Sequence, residues 1–169
     1  NIKDTNVSDI DKIEHLIDAD MVGLLRLLES SFGRQLRIEE FIKRMIDKID
    51  LVIIVGDNEG CAIITKEEFG PDVNNLNYYS YLDKFAVNPK NQGSGIADII
   101  WQELQNSYNN VYWRSRSANP VNGWYFLRSS IRINLGYWTI FGYGKILPKD
   151  INDICNKNIG IISIPASFK

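Results

Sequence analysis

Histidine is almost absent from this chain of 169 residues, and the single one, His15, falls in the first predicted helix, far in sequence from every other motif. A lone helical histidine is read as a packing or surface residue. Neither a histidine base nor a Ser/His/Asp or Cys/His array can be drawn, so the residues point away from acyl-enzyme chemistry. Cysteine is nearly as scarce. Cys61, inside a predicted strand, and Cys155 have no metal-ligand spacing and are too few for a disulfide framework, so both are expected to be structural thiols in a reducing compartment, with no metal. No apolar run approaches the ~20 residues that span a bilayer. With 19 Lys and Arg scattered among 21 Asp and Glu there is no basic stripe for nucleic acid. Small molecules or protein are the expected partners; nucleic acid and membrane are not. The chain starts at Asn1 with no signal-like segment, which reads as a fragment or a processed form.

What is present suits one well-packed domain: 44% hydrophobic residues in patterns that alternate between helix and strand periods. Ile10, Ile13, Leu16 and Ile17 follow helical spacing after a cap at Ser8-Asp9, and Met21 to Phe32 continue it from a second cap at Asp20. A short amphipathic helix is expected over 37–46, with the loop Phe32-Gly33-Arg34-Gln35-Leu36 before it. Leu51–Val55 and Cys61–Thr65 read as a hairpin across Asp57-Asn58-Glu59-Gly60, followed by a polar loop over 70–75. Strands are expected over 78–87 and 111–116, a helix to about Tyr108, and a helical turn over 124–128. The apolar runs 133–141 and 159–164 are candidates to finish the sheet, with 148–158 unassigned. The class is mixed α/β.

The most informative stretch runs from Tyr81 to Ala97, a strand that passes into a glycine-rich turn opening a helix. The first N–H groups of a helix lack intrahelical partners and sit at the positive end of its dipole, so a pyrophosphate can settle there without a cationic side chain. Gly93 and Gly95 permit close approach. The following helix carries Ile96, Ile99, Ile100 and Leu104 on one stripe, as a helix packed on a sheet should. The turn is neither a Walker loop nor a dinucleotide fingerprint. It fits Gln/Arg-x-x-Gly-x-Gly/Ala as Gln92-Gly93-Ser94-Gly95-Ile96-Ala97, and so resembles the pyrophosphate loop of the GCN5-related N-acetyltransferases (GNAT), which bind acetyl-CoA.

Two further clusters carry charge. In Val111-Tyr112-Trp113-Arg114-Ser115-Arg116 the strand period puts Arg114 and Arg116 on the face of Tyr112, with Trp113 and Ser115 on the other. Taken alone, that face is as well read as solvated or ion-paired. Lys84 lies between Leu82 and Ala86 on a face expected to be buried, where an ammonium needs a partner, either around Asp83 or on a bound carboxylate.

Tyr-Leu-Asp-Lys-Phe, Gln-x-x-Gly-x-Ala, Trp-Arg-Ser-Arg and Asn-Pro-x-x-x-Trp-Tyr-Phe, in this order and spacing, resemble the acetyltransferase domain of N-acetylglutamate synthases of the vertebrate and fungal type. With Ser31-Phe32-Gly33-Arg34-Gln35-Leu36 they cover residues 31 to about 144. The resemblance implies a GNAT fold, a mixed twisted β-sheet flanked by α-helices whose splayed central strands form the acetyl-CoA cleft. It implies a single domain over 1–169, the C-terminal part of a longer chain with an amino-acid-kinase-like domain upstream. It further implies a mitochondrial matrix address and a homo-oligomeric parent that associates with acetylglutamate kinase.

For the site, the resemblance implies that Arg34, Lys84, Arg114 and Asn119 hold L-glutamate; the loop position is often lysine in such domains and is arginine here. It assigns Phe85, Ala86 and Val87 to pantetheine and to the thioester oxygen, and Gln92, Gly93, Ser94, Gly95, Ile96 and Ala97 to the pyrophosphate. Tyr125 is the candidate acid toward the departing thiolate, with Asn119 and Lys84 beside it in the catalytic set; packing against Trp124 and Phe126 is the plainer reading of that tyrosine. The expected reaction is direct attack of the glutamate α-amine on acetyl-CoA. Two alternatives stand beside it: a regulatory acetyltransferase-like domain of a fungal acetylglutamate kinase, and a protein or lysine acetyltransferase.

Overall fold

The computed structural model describes residues 10–14 and 19–169. Among these, seven strands stand in the order β1-β2-β3-β4-β5-β7-β6: β1 Ile10–Ile13, β2 Ile49–Val55, β3 Gly60–Asp72, β4 Asn75–Val87, β5 Asn110–Arg116, β6 Ile131–Asn134 and β7 Trp138–Gly144. Five α-helices accompany them: α1 Met21–Phe32, α2 Ile38–Lys48, α3 Ile96–Ser107, α4 Asn122–Arg128 and α5 Pro148–Ile154. The pairs β1–β2, β2–β3, β5–β7 and β6–β7 are antiparallel, whereas β4 meets β5 in parallel at Tyr81↔Tyr112. None of the described helices is long and apolar enough to cross a membrane.

The chain divides into two compact units. The first takes the described residues up to Thr65, then Leu82–Ser107 and Ala166–Lys169. Its core is the apolar face of α1 (Leu24, Leu27, Leu28) and of α2 (Phe41, Met45) closed on Val52, Ile54, Cys61, Ile63 and Ala86. α1 starts where Asp20 accepts the Gly23 N–H at 3.1 Å and stops where Gly33 turns left-handed, with φ of 64°. α2 has Glu39 and Glu40 in its first turn and Lys48 in its last, both matched to the helix dipole. In α3 the buried residues are Ile96, Ile100, Trp101 and Leu104.

The second unit takes Lys66–Tyr81 and Tyr108–Pro165. On one face of β5, Trp113 stacks on its cross-strand partner Phe141 at 5.6 Å, and Tyr125 of α4 meets both rings at 5.4 and 5.5 Å. The other face is polar. Tyr112 donates to Asp150 at 2.9 Å and Tyr79 to Asp153 at 2.5 Å, with Asn77 also donating to Asp153 at 3.2 Å. Burial first, then these hydrogen bonds and the carboxylate charges, push both phenols far above their ordinary range. α5 is thereby held by two buried acids that phenols satisfy.

Three sequence expectations are corrected. Ile10–Ile13 is a strand, not helix, because its register on Val52–Val55 outweighs a helical spacing of only two isoleucines in the described segment. Ser8-Asp9, His15, Leu16 and Ile17 lie outside the described residues. The polar loop over 70–75 shrinks to a turn at Val73-Asn74, since β3 runs on through Gly70-Pro71-Asp72 and β4 starts at Asn75. The run 159–164 forms no strand: Ile161–Ser163 is a 3-10 turn, and the sheet is finished by the β6–β7 hairpin. The unassigned stretch contains α5, begun by Pro148 in the first turn.

Replacing Tyr112 with Phe removes a donor from buried Asp150. Urea unfolding should show a loss of about 1–3 kcal/mol, the cost of under-satisfying a buried polar group.

Candidate active site

β4 leaves the sheet at Val87 and passes through a 3-10 turn, Pro89–Asn91, into Gln92–Gly95 and then α3. Glu59 organises this passage. Its carbonyl accepts the Asn88 N–H at 2.8 Å, and its carboxylate accepts the Asn91 side-chain amide at 3.0 Å. Asn88 and Asn91 in turn accept the N–H groups of Lys90 and Ser94, and the Ser94 hydroxyl donates to the Asn91 carbonyl. Gly93 and Gly95 have φ of 84° and 85°, a conformation natural to glycine, and a Cβ added at either would meet no atom within 4 Å. Gln92 to Gly95 are all exposed. The loop therefore offers an open surface at the N-terminus of a twelve-residue helix whose first turn has N–H groups to spare. Phe85, on the strand entering the loop, rests edge-on against Trp101 at 6.2 Å.

Upstream on the same strand, Lys84 is buried among apolar residues and receives the partner it needs. Its ammonium donates to the Asp83 carboxylate at 2.6 Å, to the Asp83 carbonyl at 3.1 Å and to the Ser167 hydroxyl at 2.9 Å. Arg44 of α2 reaches the other oxygen of Asp83 at 2.7 Å. Burial alone would raise the Asp83 carboxyl, but the Lys84 and Arg44 charges and their hydrogen bonds overcome it and hold the group below the ordinary carboxylate range. Two cations on one anion leave the trio with one positive charge. Cys61 sits nearby, fully buried; desolvation, against a smaller opposing pull from Lys84, pushes its thiol up to about 12, so it is an inert thiol.

Arg34 is exposed on the loop between α1 and α2 and donates to the Lys169 carbonyl at 2.5 Å. The segment Ser167–Lys169 is bound to this loop as a short antiparallel bridge, with Arg37 N–H to Ser167 O and Lys169 N–H to Gln35 O each at 2.8 Å. Phe168 at its centre packs tilted against Phe32 at 4.8 Å. The Arg34 guanidinium lies 5.8 Å and the Lys84 ammonium 5.6 Å from the centre of that one ring, so both cations face Phe168.

Arg114, Asn119 and Tyr125 belong to the second unit. Arg114 packs its guanidinium 4.4 Å from the Trp138 ring and donates to the Ile161 carbonyl at 3.0 Å; Arg116 lies over Tyr137 at 5.7 Å. The shared face expected for the two arginines thus serves cation–aromatic packing. Asn119 caps the turn into α4 by accepting the Val121 N–H at 3.1 Å. Tyr125 is buried in the Trp113, Trp124 and Phe141 rings, and desolvation raises its phenol to about 12, so it is protonated throughout the neutral range.

Four participants were not anticipated: Arg44, Glu59, Ser167 and Phe168. Arg44 was one charge among many on an amphipathic helix. Glu59 was read only as turn chemistry, and Ser167 and Phe168 stand beyond the last recognised motif.

The fold is that of the GNAT acetyltransferases. Arabidopsis thaliana NAA60, solved with acetyl-CoA, superposes with a TM-score of 0.58 at 14% identity, over 80% of this chain and 99% of that one. A GNAT family acetyltransferase from Brucella melitensis, also solved with acetyl-CoA, gives 0.55 at 12% identity, over 83% and 92%. Residues 3–159 match the family described as NAT, N-acetyltransferase, of N-acetylglutamate synthase, and the chain belongs to that family. Similar proteins include the mitochondrial amino-acid acetyltransferase of Laccaria bicolor, 40% identical over 80% of this chain, and that of Scheffersomyces stipitis, 37% identical over 93%. The chain spans only 26% and 27% of the length of these two relatives.

Because the folded-state pKa of Asp83 is depressed, its stabilising contribution is complete above the unfolded value of about 3.9 and is lost as pH falls through the lower folded value. Replacing Asp83 with Asn should cost about 3–5 kcal/mol at pH 7, since the buried Lys84 ammonium loses its counter-ion and the half-buried Arg44 an ion partner. In urea unfolding at a series of pH values, the gap between the two proteins should narrow only below about pH 4.

Proposed function

We propose that this chain is the catalytic acetyltransferase domain of a mitochondrial N-acetylglutamate synthase, transferring acetyl from acetyl-CoA to the α-amine of L-glutamate. The observation that carries the reading is a buried ammonium, Lys84, on the strand that runs into an open glycine turn, with Lys84 and Arg34 both facing the ring of Phe168. The Laccaria and Scheffersomyces relatives, named amino-acid acetyltransferases, supply the reaction class, and the acetyl-CoA complexes of the fold neighbours supply the donor.

In this reading acetyl-CoA lays its pyrophosphate on Gln92–Ala97, where backbone N–H groups and the helix dipole meet its charge. Its pantetheine follows Phe85–Val87, and an N–H there polarises the thioester oxygen. Glutamate brings two carboxylates. The family resemblance assigns glutamate to Arg114 and Asn119, which belong to the second unit, and to Arg34 and Lys84, which belong to the first; a guanidinium suits a carboxylate through its planar fork and an ammonium acts as a point charge. The uncharged amine attacks the thioester carbon, so a C–N bond forms as the C–S bond breaks. Tyr125 gives its proton to the leaving sulfur, the proton shed by the amine passes to water, and the phenolate takes a proton back from water before the next turnover. Burial raises this phenol to about 12, so at neutral pH it is in the protonated form that a proton donor requires.

Incubation of the full-length protein with acetyl-CoA and a panel of amino acids and peptides, following thiol release, tests the reading. L-Glutamate should be the preferred acceptor; transfer to peptides would make the chain a protein acetyltransferase, and no transfer at all would leave a regulatory domain. Lys84→Met and Arg114→Met should each raise the glutamate KM by about 10- to 100-fold, matching the loss of a hydrogen bond or ion contact with a charged partner. Tyr125→Phe should lower kcat by about 100-fold with the glutamate KM little changed.

A further inference from the structure

The reading above gives Lys84 a substrate carboxylate, yet its ammonium has no N–H left to offer. It has three hydrogens, and three protein oxygens take them: the Asp83 carbonyl, the Asp83 carboxylate and the Ser167 hydroxyl. Lys84 therefore meets an incoming anion with its charge, and a different group must supply the hydrogen bond.

Ser167 is that group by chemistry and by position. An ammonium can only donate, so in the 2.9 Å contact with Lys84 the hydroxyl oxygen is the acceptor, and the hydroxyl proton points elsewhere. Among the described residues that proton has no acceptor. A hydroxyl that accepts from a buried cation is polarised into a stronger donor, because hydrogen bonds in a chain reinforce one another at low dielectric. Ser167 is half-buried and so open on one side. Its backbone is not free to wander: the bridge to Gln35 and Arg37 and the tilted ring contact of Phe168 with Phe32 hold the segment in register with the Arg34 loop.

We propose that Ser167 is a substrate-binding residue of the acceptor site, donating its hydroxyl proton to a carboxylate of the amino acid while Lys84 polarises it, with Phe168 the positioning residue that keeps this hydroxyl on the Lys84 ammonium. The segment 167–169 would then be a wall of the acceptor site. The proposal rests on the acceptor reading of Lys84 and adds a donor that none of the motifs shared with the family contains.

The test compares Ser167→Ala and Ser167→Thr with Lys84→Met in the full-length protein, by steady-state kinetics for both substrates and by calorimetric titration with L-glutamate. Ser167→Ala should raise the glutamate KM and Kd about tenfold, the loss of one hydrogen bond to a charged group, with the acetyl-CoA KM unchanged. Ser167→Thr, which keeps the hydroxyl, should restore most of the affinity. An unmoved glutamate KM in Ser167→Ala, while Lys84→Met raises it, overturns the proposal and leaves the acceptor reading standing. If Lys84→Met also leaves glutamate binding unmoved, the acceptor reading falls and the proposal with it. A Ser167→Ala protein that no longer unfolds cooperatively also overturns it, by making the hydroxyl a fold contact.

Discussion

The Asp83 carboxylate, buried between Lys84 and Arg44, is the interaction on which the first unit turns. Without it the buried Lys84 ammonium would lose its counter-ion and Arg44 an ion partner, a cost that packing does not offset. With it, α2 is tied to the strand that enters the glycine turn.

A second constraint is geometric. The turn after β4 must be open to a ligand and still hold its shape, and the two demands conflict unless its fixing contacts come from behind. Glu59 provides them from the hairpin turn, through Asn88 and Asn91, so that Gly93 and Gly95 can face outward with nothing over them. The second unit solves the corresponding problem differently. There Asp150 accepts the phenol of Tyr112 on one face of β5 and Asp153 that of Tyr79 on β4, while the opposite face of β5 carries the aromatic packing that surrounds Tyr125.

Legibility in the sequence followed the range of the interactions. The α1 cap at Asp20, the β2–β3 hairpin, the glycine turn and the stripe on α3 depend on residues a few positions apart, and each was readable. Ile10–Ile13 was misread because its strand register is supplied by Val52–Val55, some forty positions away. The run 159–164 has strand-like composition, yet Ile161–Ser163 turns as a 3-10 segment that presents carbonyls to Arg114. Among the site residues, Lys84 was legible as a buried charge needing a partner around Asp83 or on a bound carboxylate; that Arg44 shares Asp83 and that Ser167 also accepts from Lys84 was not, because both lie dozens of positions away along the chain.

Alone, the sequence determined the α/β class, the glycine loop and the families of charged residues, since periodicity and turn chemistry are written in neighbouring positions. Only the tertiary structure decided that Asp83 neutralises Lys84, that Phe168 gathers Arg34 and Lys84 at one ring, and that a serine near the last residue stands on the ammonium. Those pairings are set by where distant backbone segments meet, and no spacing along the chain encodes the direction in which a side chain finally points.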